Sequence, residues 1–194
     1  MDITIRVARP EDTQYAEAIC DLIKESAKAR GTGIAERQPE YVRTKIENGN
    51  AVLALRGEEL AGFCYIEVWS HNRYVANSGL IVAPAFRRLG LARQIKSHIF
   101  QLSRRKFPEA HVFGITTSLA VMRINSSLGY KPVTFSELTQ DEAFWNGCRS
   151  CPNFDILERN ERKLCLCTAM LAETSEDTTM ATDLTDLIIS TPQL

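Results

Sequence analysis

The sequence predicts an α/β protein, one mixed and mostly antiparallel sheet flanked by helices. Three observations carry this: the hydrophobic period switches repeatedly between two and about 3.6 residues, a tight turn joins two early strands, and later strands alternate with helices. Ile3, Ile5 and Val7 alternate with Thr4 and Arg6 as a first strand. Pro10 opens a helix, a position where its fixed φ is tolerated, and Tyr15, Ala18, Ile19, Leu22 and Ile23 form the buried stripe until Gly31 and Gly33 end it. A shorter helix follows over 38–47 and closes at Asn48-Gly49-Asn50. Strands over 51–55 and 60–68 are joined by the turn Gly57-Glu58-Glu59, and a third over 74–82 completes an antiparallel meander. The next helix places Leu91, Ile95, Ile99 and Leu102 on one face, with Ala92 and His98 beside them, and Pro108 marks its exit. A strand over 112–116, a helix over 119–128 stopped by Gly129, and a strand over 130–135 complete the pattern.

A chain of 194 residues has room for one well-filled domain and a small appendage. With 44% hydrophobic and 24% charged residues the composition is that of an ordinary globular protein. No apolar run approaches the ~18 residues of a membrane span. The start, MDITIRVARPED, lacks the basic flank and apolar stretch of a secretion signal, so a cytoplasmic, reducing setting and no membrane partner are expected. The net charge of −1 divides unevenly: the tail 172–194 carries −5 and residues 1–171 carry +4. Three segments are expected: a main domain over 1–136, a cysteine-rich extension over 137–171 packed on it, and an acidic, flexible tail over 172–194.

The stretch VAPAFRRLGLARQIK puts two arginines and a glycine between an apolar strand and a helix. Helix starts leave backbone amides without partners and carry partial positive charge, so they seat anions. Gly90 lets the backbone approach a phosphate, the amides of Leu89, Gly90, Leu91 and Ala92 converge, and Arg87 and Arg88 add charge-assisted contacts. The competing reading is a solvated basic loop that happens to contain glycine. Residues 87–106 also hold seven basic and no acidic residues. Yet Ile95, Ile99 and Leu102 commit one face to the core, and Arg104-Arg105-Lys106 sit at a helix end that favours cations. With Phe100 the one Phe, Tyr or Trp among the arginines, there is no interleaved aromatic surface to stack bases, and a nucleic-acid partner is not expected.

The hexapeptide Arg87-Arg88-Leu89-Gly90-Leu91-Ala92 resembles the Arg/Gln-x-x-Gly-x-Gly/Ala pattern between the fourth strand and third helix of the GNAT superfamily, the acyl-CoA-dependent N-acetyltransferases. Ile81-Val82 and Pro84 before it, the amphipathic helix after it, and Leu128-Gly129-Tyr130 further on stand where the family has equivalents, over residues 3–136. The resemblance implies acetyl-CoA as co-substrate, held by the backbone of Ile81 and Val82, by residues 87–92 and by Asn125. It implies direct transfer to a primary amine of a small molecule, and leaves a homodimer open. Its runner-up is a CoA-sensing or partner-binding module with little turnover.

Deprotonating the amine needs a base. Glu67, inside the apolar run Gly62-Phe63-Cys64-Tyr65-Ile66-Glu67-Val68-Trp69, is the first candidate; lost hydration would raise its pKa. The alternative is an exposed strand carboxylate paired with Arg or Lys. His71, at the end of the same strand, is the second candidate, or a plain loop histidine. The family's acid, a tyrosine four residues before the Gly-Tyr pair, is replaced by Asn125, whose amide donates a hydrogen bond but no proton. Water, Tyr65 or Ser126 would then protonate the thiolate, or it leaves as the anion. The segment Arg30-Gly31-Thr32-Gly33-Ile34-Ala35-Glu36-Arg37 falls where this fold covers its acceptor. Arg30 or Arg37, with Thr32 between them, could clamp the carboxylate of an amino acid such as glutamate, as in N-acetylglutamate synthase; the alternative is a flexible connection with solvated arginines.

Cys148-Arg149-Ser150-Cys151 is followed, after thirteen intervening residues, by Cys165-Leu166-Cys167. Four soft thiolates on two short loops suit a structural zinc ion. The second pair is C-x-C, however, and alternation with Ala169 and Leu171 equally suits buried thiols on a closing strand, while Cys148 and Cys151 suit a redox pair. Zinc, buried thiols and disulfide all stay open. Cys20 and Cys64 lie on apolar faces and read as core.

Overall fold

The computed structural model describes residues 2–30 and 36–174, without the side chain of Arg30. From residue 175 onward the expected acidic tail lies outside the described residues. Strands β1 (Ile3–Val7), β2 (Ala51–Arg56), β3 (Glu59–Trp69) and β4 (Tyr74–Val82) form the antiparallel meander, and β5 (His111–Thr116) then pairs parallel to β4. Strand β7 (Thr168–Ala172) inserts antiparallel between β5 and β6 (Lys131–Val133), giving the order β1-β2-β3-β4-β5-β7-β6. The mixed, mostly antiparallel sheet flanked by helices is therefore as the pattern predicts.

Alternation along the strands divides the core. Ala51, Leu53 and Leu55 of β2 face α1 (Ala16–Arg30) and α2 (Pro39–Glu47), while Val52 and Ala54 face α3 (Leu91–Lys106). Strand β3 is buried on both faces from Ala61 to Glu67, as befits a central strand. Gly62 marks where α3 comes closest, since a Cβ there would lie 2.5 Å from Ile95 Cδ1 and 2.9 Å from Ile81 O. Beyond β5 follow α4 (Leu119–Ser126), α5 (Glu142–Asn146) and α6 (Phe154–Arg159). A third cluster, with Phe113, Phe135, Phe144, Trp145 and Leu157, packs these last helices on β5 and β7.

Three expectations are corrected. Pro10 opens a 3-10 turn over Pro10–Tyr15 before α1 starts at Ala16. There Asp12 is buried and accepts hydrogen bonds from Arg6 Nη1 (2.6 Å), Arg6 Nη2 (2.8 Å) and the Arg9 amide (2.7 Å), a local bond set that competes with the helix. The strand expected over 130–135 is only Lys131–Val133, because Thr134 starts a capped 3-10 turn. And the boundary at 136 does not divide the sheet. Strand β6 pairs with β7, which comes from the segment expected as an extension, so residues 137–171 supply an interior strand.

Two features of β4 open the sheet. Its pairing with β5 covers only 74–76 against 111–113, beyond which the strands part. Its register with β3 passes from Tyr65↔Ser78 to Phe63↔Ile81, so β4 holds one extra residue, a bulge. Gly79 takes it with φ +64°, and a Cβ there would meet Tyr65 Cε1 at 2.4 Å. Ser78 and Leu80 are thereby turned toward the gap.

Candidate active site

The parted strands border a cavity of about 610 Å³, walled by residues 77–80 of β4 and 114–117 around the end of β5, with Lys96 and Asn125 beneath and the segment 143–167 across from α2. On the far side of β4 the basic loop leads into α3. Arg88 (φ +65°) and Gly90 (φ +74°) are both left-handed, and Gly90 caps the helix without a side-chain bond. Within the first turn only Arg93 and Gln94 donate, both to Gly90 O, at 3.1 and 3.3 Å. The amides of 88–92 have no acceptor among the described residues, which is the arrangement that seats an anion. Arg88 and Leu89 are exposed, Leu91 is core and Ala92 is half-buried.

Arg87 is partly engaged. Its Nε donates to Val82 O (3.2 Å) and its Nη2 to Ser26 Oγ (3.1 Å), so it ties the loop to α1. Ile81 and Val82 do not line the cavity: Ile81 packs under α1 and α2, and both pair with β3. The strand residues that border it are Asn77, Ser78, Gly79 and Leu80, because the bulge shifts the exposed stretch toward the strand's start.

Glu67 is 6% exposed and borders the cavity. Its carboxylate accepts hydrogen bonds from the hydroxyls of Tyr41, on α2, and Ser78, on β4. Burial, then the charge of Glu67, push the Tyr41 phenol far above its ordinary value, so it stays a donor. Arg37 also borders the cavity, where its Nε donates to Tyr65 Oη at 2.5 Å. Burial favours the neutral guanidinium, but Tyr65 and Glu67 outweigh it and hold the pKa above its ordinary value. The Lys45 ammonium lies 4.5 Å from the Tyr41 ring centroid, and burial lowers its pKa.

The other sequence candidates are not brought here. Thr32 and the side chain of Arg30 lie outside the described residues. His71 is exposed in the β3–β4 turn, within the left-handed run Ser70, His71, Asn72, and does not border the cavity. Tyr65 is fully buried under α2 with its hydroxyl held by Arg37, and burial pushes its phenol far up, which unsuits it as the acid. Ser126 is exposed and off the cavity.

Asn125 fits the co-substrate. It is buried and borders the cavity, yet its Oδ1 has no partner among the described residues, and its Nδ2 reaches only Met170 Sδ at 3.7 Å. An orphaned acceptor at the parted strands is a position for a ligand's donor. The model of the acetyltransferase (GNAT) family matches residues 16–120, more than half of the chain. The chain belongs to the GNAT acetyltransferases. It is accordingly an N-acetyltransferase.

Among solved structures, N-acetylglutamate synthase from Neisseria gonorrhoeae with coenzyme A and N-acetyl-glutamate is similar at TM-score 0.62 and 17% identity, covering 89% of this chain but only 35% of that one. The Rv2747 protein of Mycobacterium tuberculosis, in complex with CoA, is similar at TM-score 0.62 and 19% identity over 88% of this chain and 98% of that one. Diaminobutyrate acetyltransferase from Paenibacillus lautus, with its substrate and coenzyme A, reaches TM-score 0.54 at 12% identity over 69% and 80%. No curated protein sequence matches the chain.

In this GNAT enzyme the four clustered cysteines line the cavity, all half-buried. They are free thiols, and among the described residues no group of three or more His, Cys, Asp or Glu is placed to hold a metal. Among the described residues, neither the zinc set nor the disulfide of the sequence reading is seen. Cys165 and Cys167 lie in the approach to β7, which is buried on both faces, and with Cys148 they pack on the third cluster beside Ala169 and Leu171. Burial pushes Cys148 up to about 11 and Cys167 to about 12, so both are protonated thiols. Tyr41, Ser78 and Lys96 escaped the sequence reading. Tyr41 and Lys45 at i,i+4, and Ala92, Lys96, Ile99 and Ser103 at i,i+4,i+7,i+11, are the helical spacings that mark them.

Proposed function

We propose that the enzyme acetylates the primary amine of a carboxylate-bearing small molecule, an amino acid of the glutamate type, with Glu67 as base and Arg37 as the carboxylate anchor. The observation that carries this is the joint placement of a buried carboxylate and a half-buried guanidinium on one cavity wall, linked through Tyr41 and Tyr65. An amino acid carries the complementary pair, an ammonium for Glu67 and a carboxylate for Arg37. Two structural neighbours hold an amino acid or its acetylated form beside coenzyme A, which accords with this reading.

Acetyl-CoA supplies the activated acyl group, its diphosphate seated on the free amides of 88–92. Glu67 takes the proton that the ammonium must lose before nitrogen has a lone pair, directly or through one water. The Tyr41 and Ser78 hydroxyls fix the carboxylate so that its orientation does not have to be won at each turnover. The parted strand edge at 77–80 offers backbone polar groups to the carbonyl end of the thioester.

The test is free-thiol release across a panel of amino acids and their decarboxylated amines. A carboxylate-bearing acceptor should be preferred at least ~10²-fold in kcat/KM. Arg37→Met should erase the preference mainly through acceptor KM, leaving the Kd for CoA unchanged. Equal turnover of both classes would overturn the substrate class, and tight CoA binding without acceptor-dependent release would favour the sensing module.

A further inference from the structure

Lys96 is 2% exposed, borders the cavity, and has neither an ion pair nor a hydrogen bond among the described residues. Its Nζ lies 5.0 Å from the Tyr130 ring centroid. That ring is fixed from behind, since Tyr130 Oη donates to Asn77 Oδ1 (2.9 Å) and Asn77 Nδ2 donates to Ser103 Oγ (2.8 Å). The lysine thus sits against a hydrogen-bonded chain of Tyr130, Asn77 and Ser103, on the helix whose first turn presents the free amides. An ammonium so buried is costly unless something in the cavity pairs with it.

Asn125, at the same cavity, has the opposite deficiency: an acceptor without a donor. A sulfur that alternates between thiol and thiolate suits both. As a thiol it donates to Asn125 Oδ1; as a thiolate it accepts from Lys96 Nζ.

We propose that Lys96 receives the thiolate of coenzyme A as it departs, pairing with the anion and protonating it, in the role the family's tyrosine would fill where Asn125 stands. When the carbon–sulfur bond breaks, its electron pair stays on sulfur. While bound, the sulfur is held as the anion against the Lys96 ammonium; as CoA leaves it takes that proton and departs as the thiol, and the neutral amine left behind regains a proton from water. The titratable side chains facing Lys96 are Cys64 of β3 and Tyr130. Burial pushes the Cys64 thiol up to about 11 and the Tyr130 phenol well above its ordinary value, so both are neutral when Lys96 titrates. Burial brings the Lys96 ammonium down to about 8, where it can give up its proton during turnover.

The experiment compares CoA with its desulfo analogue by calorimetry from about pH 6 to about pH 10, and follows the ultraviolet thiolate band of bound CoA over the same range. Wild-type protein should bind CoA at least ~10-fold more tightly than desulfo-CoA, with a preference that fades above the Lys96 value, and should ionise the bound thiol below the value measured for free CoA in the same buffers. Lys96→Met should abolish that preference, keep desulfo-CoA affinity, and lower kcat by ~10²-fold with acceptor KM unchanged. A bound thiol that titrates at or above its free value in the wild type overturns the proposal without recourse to any variant. So does a Lys96→Met protein that keeps the preference, or that loses both ligands equally.

Discussion

Gly79 and Gly90 share a left-handed backbone but differ in their surroundings, and alanine at each separates two costs. At Gly90 (φ +74°) nothing lies within 4 Å of an added Cβ, so Gly90→Ala carries only the conformational penalty of an L-residue there, ~1–2 kcal/mol. At Gly79 (φ +64°) the same penalty applies, and the Cβ also meets Tyr65 Cε1 at 2.4 Å and Cδ1 at 2.8 Å. That ring cannot swing away cheaply, because it is fully buried and its hydroxyl is held by Arg37. Overpacking of this kind adds ~1–3 kcal/mol, for a total of ~2–5 kcal/mol. In a domain of this size each kcal/mol moves the melting temperature by ~2–4 °C, so Gly79→Ala should melt ~4–20 °C lower and Gly90→Ala ~2–8 °C lower. Function should divide the other way. Gly90→Ala tilts the free amides and should weaken CoA binding well beyond its small effect on melting. Differential scanning calorimetry with CoA titration measures both. A Gly79→Ala protein that melts no lower than Gly90→Ala would refute the bulge and its contact with Tyr65.

Glu67→Gln removes the base but keeps an oxygen for Tyr41 or Ser78, so kcat should fall ~10²–10⁴-fold with little change in melting; a loss under threefold in steady-state assays would move the base elsewhere. Asp12→Asn should cost ~1–3 kcal/mol at neutral pH, since Arg6 loses its carboxylate. The hydrogen bond from Arg6 holds the Asp12 carboxyl below its ordinary value, so its stabilisation is full above the unfolded value of ~3.9 and is lost as pH falls through the lower folded value. Urea denaturation of both proteins at a series of pH values should therefore show their difference shrinking in acid, and a constant difference would refute the linkage. Truncation after residue 136 removes β7 and should leave no cooperatively folding domain by calorimetry; a sharp transition in the shortened chain would show that the sheet closes without it.

Local chemistry was what the sequence displayed. The period of α3, the turn at Gly57 and the glycine that caps the helix each depend on a few neighbouring residues, and all stand where the pattern puts them. Glu67 was visible for a similar reason: a charged residue inside an apolar run must be either misplaced or buried, and it is 6% exposed. Its partners were invisible, because Tyr41 lies 26 positions away and meets Glu67 only when α2 packs across β3. Arg37 and Tyr65 are 28 apart and meet by the same packing. Lys96 was hidden by its charge, which reads as solvated until the helix face beside Ile95 and Ile99 is seen to overhang a gap.

The cysteine-rich segment shows the limit most clearly, and its physical reason concerns hydrogen bonds more than thiols. Without β7, strand β5 would have a free edge from Val112 to Thr116, and β6, three residues long, would have no partner among the described strands. Edges of that kind need pairing or cover. The chain meets the need with residues 168–172 after a detour through α5 and α6, and the detour carries Phe144, Trp145 and Leu157 onto the sheet. The four thiols ride on this path to the cavity wall, and Cys148, Cys165 and Cys167 are pinned there by packing on the third cluster. The spacing of the cysteines is local and visible in sequence; the pairing of β5 with β7, which sets the path that carries them, is long-range and is not.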